Sequence, residues 1–321
     1  MEQDNQTNAG RDFILLGFPE GQIIISFFFL LIYLLILLGN LTIFTIVRTD
    51  AHLHTPMYFF LSNLSLVDIC YSSTSVPSML GNSLSGETTI SFCRCLAQLY
   101  FFVSLGGVEC LLLAVMAYDR YIAICNPLRY SIIMNQRVCW QLAASTWVSG
   151  FLNSVLHTLM TSNLPFCGVR KVNHFFCDVP PLLRMACTNT YISKMLVYVI
   201  SVFLGICPFL FIVISYVHII SAILKIRSAE GRWKVFSTCS SHLIVVTLFY
   251  ASGNFNYIGP ISSNSLEIES IASVLYCTLT PLLNPIIYCL RSTDVKRALR
   301  KAIRKKIVSV QEAKWFMHYK G

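Results

Sequence analysis

The sequence predicts an all-α membrane protein, a bundle of seven transmembrane helices followed by a short amphipathic helix on the cytoplasmic side. Three observations carry that expectation. Hydrophobic residues make up 55% of the 321 and charged residues only 12%, about half the charged share of an ordinary soluble domain. The apolar residues fall in long blocks, and seven of these reach the roughly 20 residues that a helix needs to cross about 30 Å of hydrocarbon. Lys and Arg crowd the loops on one side of those blocks, the asymmetry that orients membrane proteins.

Residues 1–20 carry mixed charges with no compact apolar block behind a basic start, so they read as an extracellular segment rather than a cleaved signal peptide. The membrane domain then occupies 21–290 and a cytoplasmic tail 291–321. The first span runs from about Gly21 to Val47 without a charge. The second, about Met57 to Leu80, is expected to break at Asp68 and Pro77. The third, about Leu96 to Ile124, is apolar except for Glu109 until it reaches the adjacent Asp119 and Arg120. The fourth runs from about Val138 to Met160 around Trp140 and Trp147. The fifth, about Met195 to Leu224, holds Pro208 and Tyr216, and the sixth, about Val235 to Ile258, holds His242, Tyr250 and Tyr257. The seventh, about Ser270 to Leu290, ends in Asn284-Pro285-Ile286-Ile287-Tyr288.

With the amino terminus outside, eighteen of the 24 Lys and Arg face the cytoplasm, and only Arg11, Arg94, Arg170, Lys171, Arg184 and Lys194 remain outside. The net charge of +9 is therefore a topology signal. It does not point to nucleic acid, because the basic residues flank apolar spans and no aromatic-interleaved basic patch accompanies them. No internal repeat or matched pair of broken helices speaks for a transporter, which leaves a channel or transporter path past Asp68 and Glu109 as the rival reading. Nothing pairs a nucleophile with a base, so no enzyme is expected. His242 reads as a packing or switch residue.

Five cysteines, Cys93, Cys95, Cys167, Cys177 and Cys187, fall on the outer side, where disulfides persist. They allow two bridges and leave one thiol, and the sequence does not settle the pairing. Cys167, Cys177 and Cys187 are ten apart rather than in close pairs, which argues against zinc. The remaining cysteines read as small buried hydrophobes. Asn5-Gln6-Thr7 is a glycosylation sequon on the outer side.

Inside the spans, an ionisable residue is a functional candidate, since burying its charge is costly unless it is paired or hydrated. Asp68 and Glu109, with Asn284, suffice to hold a sodium ion, to share a proton, or to tie helices in a polar network, and all three uses need the same residues. Glu109 and Arg120 are eleven residues apart, three turns or about 16 Å, and share one face. Outward along that face lie Gly106 and Phe102. Gly106 and Gly107 leave room for a cavity beside Phe102, or for close helix packing. Tyr250 and Tyr257 share a face of the sixth span. An apolar wall with a few hydroxyls suits a small, mostly uncharged organic ligand. No carboxylate lies between Leu96 and Val108 to meet a cationic amine, and the seventh span has no lysine for a retinal Schiff base. After Arg291, the residues Val295, Ala298, Leu299, Ala302 and Ile303 recur at helical spacing among Lys and Arg, which predicts a helix on the anionic inner leaflet, capped by Asp294 or its Ser-Thr neighbours.

These residues resemble the odorant receptor family of rhodopsin-like G-protein-coupled receptors over nearly the whole chain. PMYFFLSNLSLVD at 56–68, MAYDRYIAICNPLRY at 116–130, SY at 215–216, KVFSTCSSHLIVV at 234–246 and PLLNPIIYCLRSTDVKRAL at 281–299 are similar to the family's signatures, in order. The resemblance implies that Asp119, Arg120 and Tyr121, with Tyr216, Asn284, Pro285 and Tyr288, form the switch that meets the G protein. It implies an odorant pocket between the third, fifth and sixth spans, with Phe102, Val103, Gly106, Tyr250 and Tyr257 as lining residues and Leu204 and Cys277 as further candidates. It implies bridges from Cys95 to Cys177 and from Cys167 to Cys187. It also implies coupling to the olfactory stimulatory G protein and adenylyl cyclase, in the plasma membrane of olfactory sensory cilia. A receptor for another small apolar ligand outside the nose is the nearest alternative. Trp233 stands where the family usually has a basic residue, and Ala251 where glycine commonly follows the tyrosine.

Overall fold

The computed structural model describes residues 12–16, 23–85, 87–166, 170–172, 174–188, 202–258 and 266–304, with isolated positions between 191 and 200; some side chains within the helices, Tyr257 and Cys289 among them, fall outside that description. Long helices dominate: α1 (Ile23–Thr49), α2 (Pro56–Ser85), α3 (Phe92–Cys125), α4 (Gln136–Ser162), α5 (Cys207–Leu224), α6 (Ala229–Ile258), α7 (Leu266–Arg291) and a shorter α8 over 293–304. Among the described residues, four stretches are long and apolar enough to cross a membrane, namely Ser26–Thr49, Phe92–Cys125, Phe203–Leu224 and Ala229–Gly253.

Local chemistry sets several helix ends. The Ser91 hydroxyl accepts from the Arg94 N–H at the start of α3, and the Asn135 side chain accepts from the Val138 N–H at the start of α4. Ser292 caps α8 by accepting from the Val295 N–H at 3.2 Å, so the cap falls on a neighbour of Asp294.

The break expected in α2 does not occur, since the helix continues through Pro77 to Ser85. Proline there loosens the preceding turn, but α3 supplies a donor, with Gln98 Nε2 bonding the Thr74 carbonyl at 2.8 Å. A neighbouring helix thus satisfies backbone that lipid cannot. Pro208 acts differently. A π-helical turn, Val202–Ile206, precedes it, and Pro208 lacks the N–H that would meet the Leu204 carbonyl in an α-helix.

Helix α3 packs against α2, α4 and α5, while α7 packs on α1, α2 and α6. The approach of α4 is close at Gly150, where an added Cβ would lie 2.5 Å from Val108 Cγ2 and 2.7 Å from the Ser104 carbonyl oxygen. One turn outward, Ser154 Oγ donates to the Tyr100 carbonyl at 2.5 Å.

The end of the bundle that the charge asymmetry predicts to lie outside holds an element that the helical expectation missed, a three-stranded sheet in the order β2-β1-β3. Strand β1 (Phe13–Leu16) runs antiparallel to β2 (Glu87–Ile90) and parallel to β3 (Lys171–Val172). Phe13 and Leu15 alternate inward and are buried. Phe13 packs on Phe92 and Phe166, with centroids 5.9 and 5.3 Å away. Beneath the sheet, Cys95 is bonded to Cys177, as the resemblance implied. Cys187 is also disulfide-bonded, and Cys167 lies outside the described residues.

At the inner end, α8 buries Val295 and Ala298 against the core while Ile303 remains half exposed. The predicted membrane-facing stripe therefore turns its first residues to protein. Lys301 reaches Asp50 at 3.3 Å, and the His52 N–H together with Lys301 holds the Asp50 carboxyl below its usual range.

Gly150→Ala forces a Cβ onto backbone, so it is expected to lower the stability of the purified protein by about 1–3 kcal/mol, read as a depressed melting temperature. Gly81→Ala, which meets nothing within 4 Å, should leave the melting temperature unchanged.

Candidate functional site

Three groups of residues lie in succession along α3, and each joins it to other helices.

In the outer half, Cys110 Sγ donates to the Leu204 carbonyl at 2.7 Å and lies 3.0 Å from the Tyr250 hydroxyl. The carbonyl that Pro208 leaves without its helical donor is the acceptor, so a proline in α5 creates the contact with α3. Phe209 lies against the Tyr250 ring at 4.9 Å. Leu204 and Tyr250, implied by resemblance, are thus brought together, and Gly106 is one turn outward of Cys110. Cys110 itself was read as a small buried hydrophobe; its place four residues after Gly106 on the same helical face was the available signal.

Phe102 turns elsewhere. Its ring stacks on Tyr71 of α2 at 4.8 Å and meets Phe176 of the outer loop at 4.9 Å. Cys277 of α7 is fully buried beside Tyr71 and Ser75, on the Phe102 side, and Val103 packs into the outer cluster beneath the sheet. The expected lining set therefore divides into a wall between α3, α5 and α6 and an aromatic stack between α2, α3, α7 and the loop. Phe176 was not anticipated, although it adjoins the bridged Cys177. Tyr257 lies in the last turn of α6, its side chain outside the described residues, and Asn5 lies outside them altogether.

Midway, Asn284 Nδ2 donates to both Asp68 oxygens, at 3.0 and 3.2 Å. Glu109 is fully buried nearby, and both of its carboxylate oxygens, with Asn284 Oδ1, have no hydrogen-bond partner among the described residues. Asn40 Nδ2 donates to the Pro281 carbonyl at 3.0 Å, which ties α1 into the same layer. No group of three or more His, Cys, Asp or Glu gathers in metal-binding fashion among the described residues. The unpartnered oxygens of Glu109 and Asn284 beside Asp68 nonetheless form a hard-oxygen donor set suited to a small cation or a proton.

At the inner end, Asp119 and Arg120 do not pair with each other. Adjacent helical residues project in different directions, and each finds its own partner. The Tyr130 hydroxyl donates to Asp119 at 2.9 Å, and Arg120 points to Met57 Sδ on α2. Burial first, then the Asp119 carboxylate, raises the Tyr130 phenol above its usual range, so it stays a donor at any physiological pH. Arg120 is also within electrostatic reach of Tyr216, Cys239, His242 and Tyr288.

His242 bridges three helices. Its Nε2 lies 3.1 Å from the Leu113 carbonyl and its Nδ1 2.8 Å from the Tyr216 hydroxyl. A carbonyl can only accept, which assigns the proton to Nε2 and makes Tyr216 the donor to Nδ1. The two rings also stack at 5.7 Å. Of the other expected switch residues, Tyr288 is buried with its hydroxyl unpartnered among the described residues, Tyr121 lies beside His218, and Pro285 packs against Gly39 of α1. Trp233 is largely exposed beside Phe236 at the start of α6.

Tyr130→Phe leaves the buried Asp119 carboxylate without its donor, so it is expected to cost about 1–3 kcal/mol of stability, measured as a loss of melting temperature.

The chain matches the family model described as olfactory receptor over residues 29–306. It is 48% identical to human olfactory receptor 2B2 over 302 residues, covering 93% of this chain and 85% of that protein. It is 49% identical to human olfactory receptor 5A1 over 301 residues (92% and 96% covered). It is 48% identical to mouse olfactory receptor 8U9 over 309 residues (95% and 98% covered).

Proposed function

The chain belongs to the olfactory receptor family, and from that premise we propose that it binds a small, mostly apolar odorant between α3, α5 and α6 and passes the event to a stimulatory G protein that raises cyclic AMP. One observation carries the reading: the same three helices are joined twice, by Cys110, Leu204 and Tyr250 and again by Leu113, Tyr216 and His242. On α6 the two joints are eight residues apart, about 12 Å. A ligand that parts Tyr250 from Cys110 turns α6 about the same axis that holds His242 to α3.

The remaining assignments follow from this one. Helices α1–α7 cross the plasma membrane of sensory cilia, with the amino terminus, the sheet and Asn5 outside and α8 inside. Cys167 closes on Cys187. Arg120 and Tyr121, with Tyr288 rearranging beside Asn284 and Pro285, form the output. Leu128 and Ile132 are 94% and 72% exposed on either side of Arg129 and close in sequence to Arg137, an apolar knob in a basic surround that suits a protein partner. Asp68, Glu109 and Asn284 would hold a sodium ion, whose single charge would compensate one of the two buried acids. Phe102, Val103 and Cys277 shape the outer approach to the odorant site, and Tyr257 borders it.

Arg120→Ala is expected to abolish odorant-stimulated cyclic AMP at unchanged surface expression; retained signalling would refute the output assignment. Cys110→Ala and Tyr250→Phe should each shift the half-maximal odorant concentration about tenfold or reorder the responses across a panel, since one lost polar contact in such a site is worth about 1–2 kcal/mol. An unaltered profile for both would remove the odorant from this wall.

A further inference from the structure

The loop between α4 and α5 enters the mouth of the bundle instead of lying across it. His174, Phe175, Phe176, Cys177 and Asp178, between β3 and the short helix Val179–Met185, are all buried. A connecting segment ordinarily runs over the surface, because its backbone N–H and C=O groups need partners once buried. Here α3 supplies one. Gln98 Oε1 accepts from the Cys177 N–H at 3.0 Å. Gln98 follows the bridged Cys95 by three residues, so both project from one face of α3. Both reach Cys177, the one at its N–H and the other at its Sγ.

We propose that Gln98 is a positioning residue for the odorant site: its bond to the Cys177 N–H seats Phe176 in the mouth of the bundle, where that ring forms the outer wall of the site and selects among odorants. This rests on the reading of α3, α5 and α6 as the place where an odorant binds. A disulfide alone holds Cys177 at one point and leaves its backbone free to swivel. The second point lies in the peptide plane that joins Phe176 to Cys177, so fixing it fixes the direction in which Phe176 leaves the chain. The ring then meets Phe102 at 4.9 Å and His174 edge-on at 4.5 Å. It is fully buried and joins the same apolar core as Leu105, Cys110, Phe249 and Tyr250. The amide itself is matched to the place. Gln98 Nε2 donates to the Thr74 carbonyl at 2.8 Å, and a carbonyl can only accept, so the amide oxygen is the end that faces Cys177. A glutamate would lack the donor for Thr74, and a lysine the acceptor for Cys177.

The test uses the full-length receptor. Hydrogen–deuterium exchange of peptides covering 174–178 reads the seating without any ligand. Cyclic AMP responses to a panel of neutral aldehydes, ketones and esters graded in size read the selection. In Gln98→Met, which keeps the length of the side chain and removes both bonds, exchange is expected to rise about tenfold and the panel to be reordered at unchanged surface expression. Gln141→Met, the same change at an exposed position of α4, should move neither. Should Gln98→Met fail to fold, Phe176→Leu serves: it leaves Gln98 and the bridge in place and should shift the panel toward larger odorants by about fivefold. Unchanged exchange in Gln98→Met would overturn the seating. Raised exchange with the order of the panel intact, or an intact order in Phe176→Leu, would overturn the selective role of Phe176 and leave the odorant reading standing. A wild type that answers no member of the panel would overturn that reading and the selective role with it, while the exchange result still decides the Gln98 contact.

Discussion

Hydrocarbon cannot hydrogen-bond, and that constraint governs this molecule. Every polar group inside the bundle must find a protein partner or lose several kcal/mol. Many Ser and Thr hydroxyls turn back to carbonyls of their own helix, while several longer or differently placed side chains reach carbonyls of neighbouring helices. Gln98 meets Thr74, Ser154 meets Tyr100, Asn40 meets Pro281, His242 meets Leu113 and Cys110 meets Leu204. Each of these contacts crosses between helices, so solving the solvation problem also fixes their relative placement. Helix α3 takes part in four of the five. It is the axis of the bundle because it has neighbours on most sides, and a polar side chain there nearly always faces another backbone.

Two prolines show how one residue type can serve opposite ends. Pro77 would break α2 in isolation, yet the helix continues because α3 donates to the carbonyl one turn back. Pro208 withholds an N–H in a region where the helix has already widened to a π turn, and the Leu204 carbonyl is there for the Cys110 thiol. In the first case the neighbour repairs a defect. In the second it makes use of one, and the result is the inner wall of the proposed odorant site.

The long helices and the layer of Asp68, Glu109 and Asn284 were legible in the sequence because each rests on a local signal, an apolar run or a charge placed inside one. Leu204 was singled out only through resemblance, and Tyr250 also through the helical face it shares with Tyr257. What stayed hidden depends on who faces whom. FILL at 13–16 is four residues whose strand character appears only when β2 and β3 arrive from distant loops. Asp119 and Arg120 stand side by side in the chain, but helical geometry turns them apart to Tyr130 and Met57. Phe102 shares a face with Glu109 by spacing, and nothing in that spacing says that Tyr71 and Phe176 take up its ring.

The magnitudes explain how a weak ligand can operate such a bundle. A buried neutral hydrogen bond contributes about 0.5–1.5 kcal/mol net, so the two bonds of His242 hold α6 to α3 and α5 by only a few kcal/mol. A small apolar molecule can bind one arrangement of α3, α5 and α6 more tightly than another by a comparable amount, and only that difference moves the equilibrium. Were the inner joint made of buried ion pairs, breaking it would demand more than shape selectivity among odorants can supply. A histidine bridge between a tyrosine and a carbonyl lies within reach of the binding energy of the proposed odorant. The charged residue of the inner face, Arg120, is left beside that bridge rather than within it, which in the proposed mechanism leaves it able to turn to a partner when α6 moves.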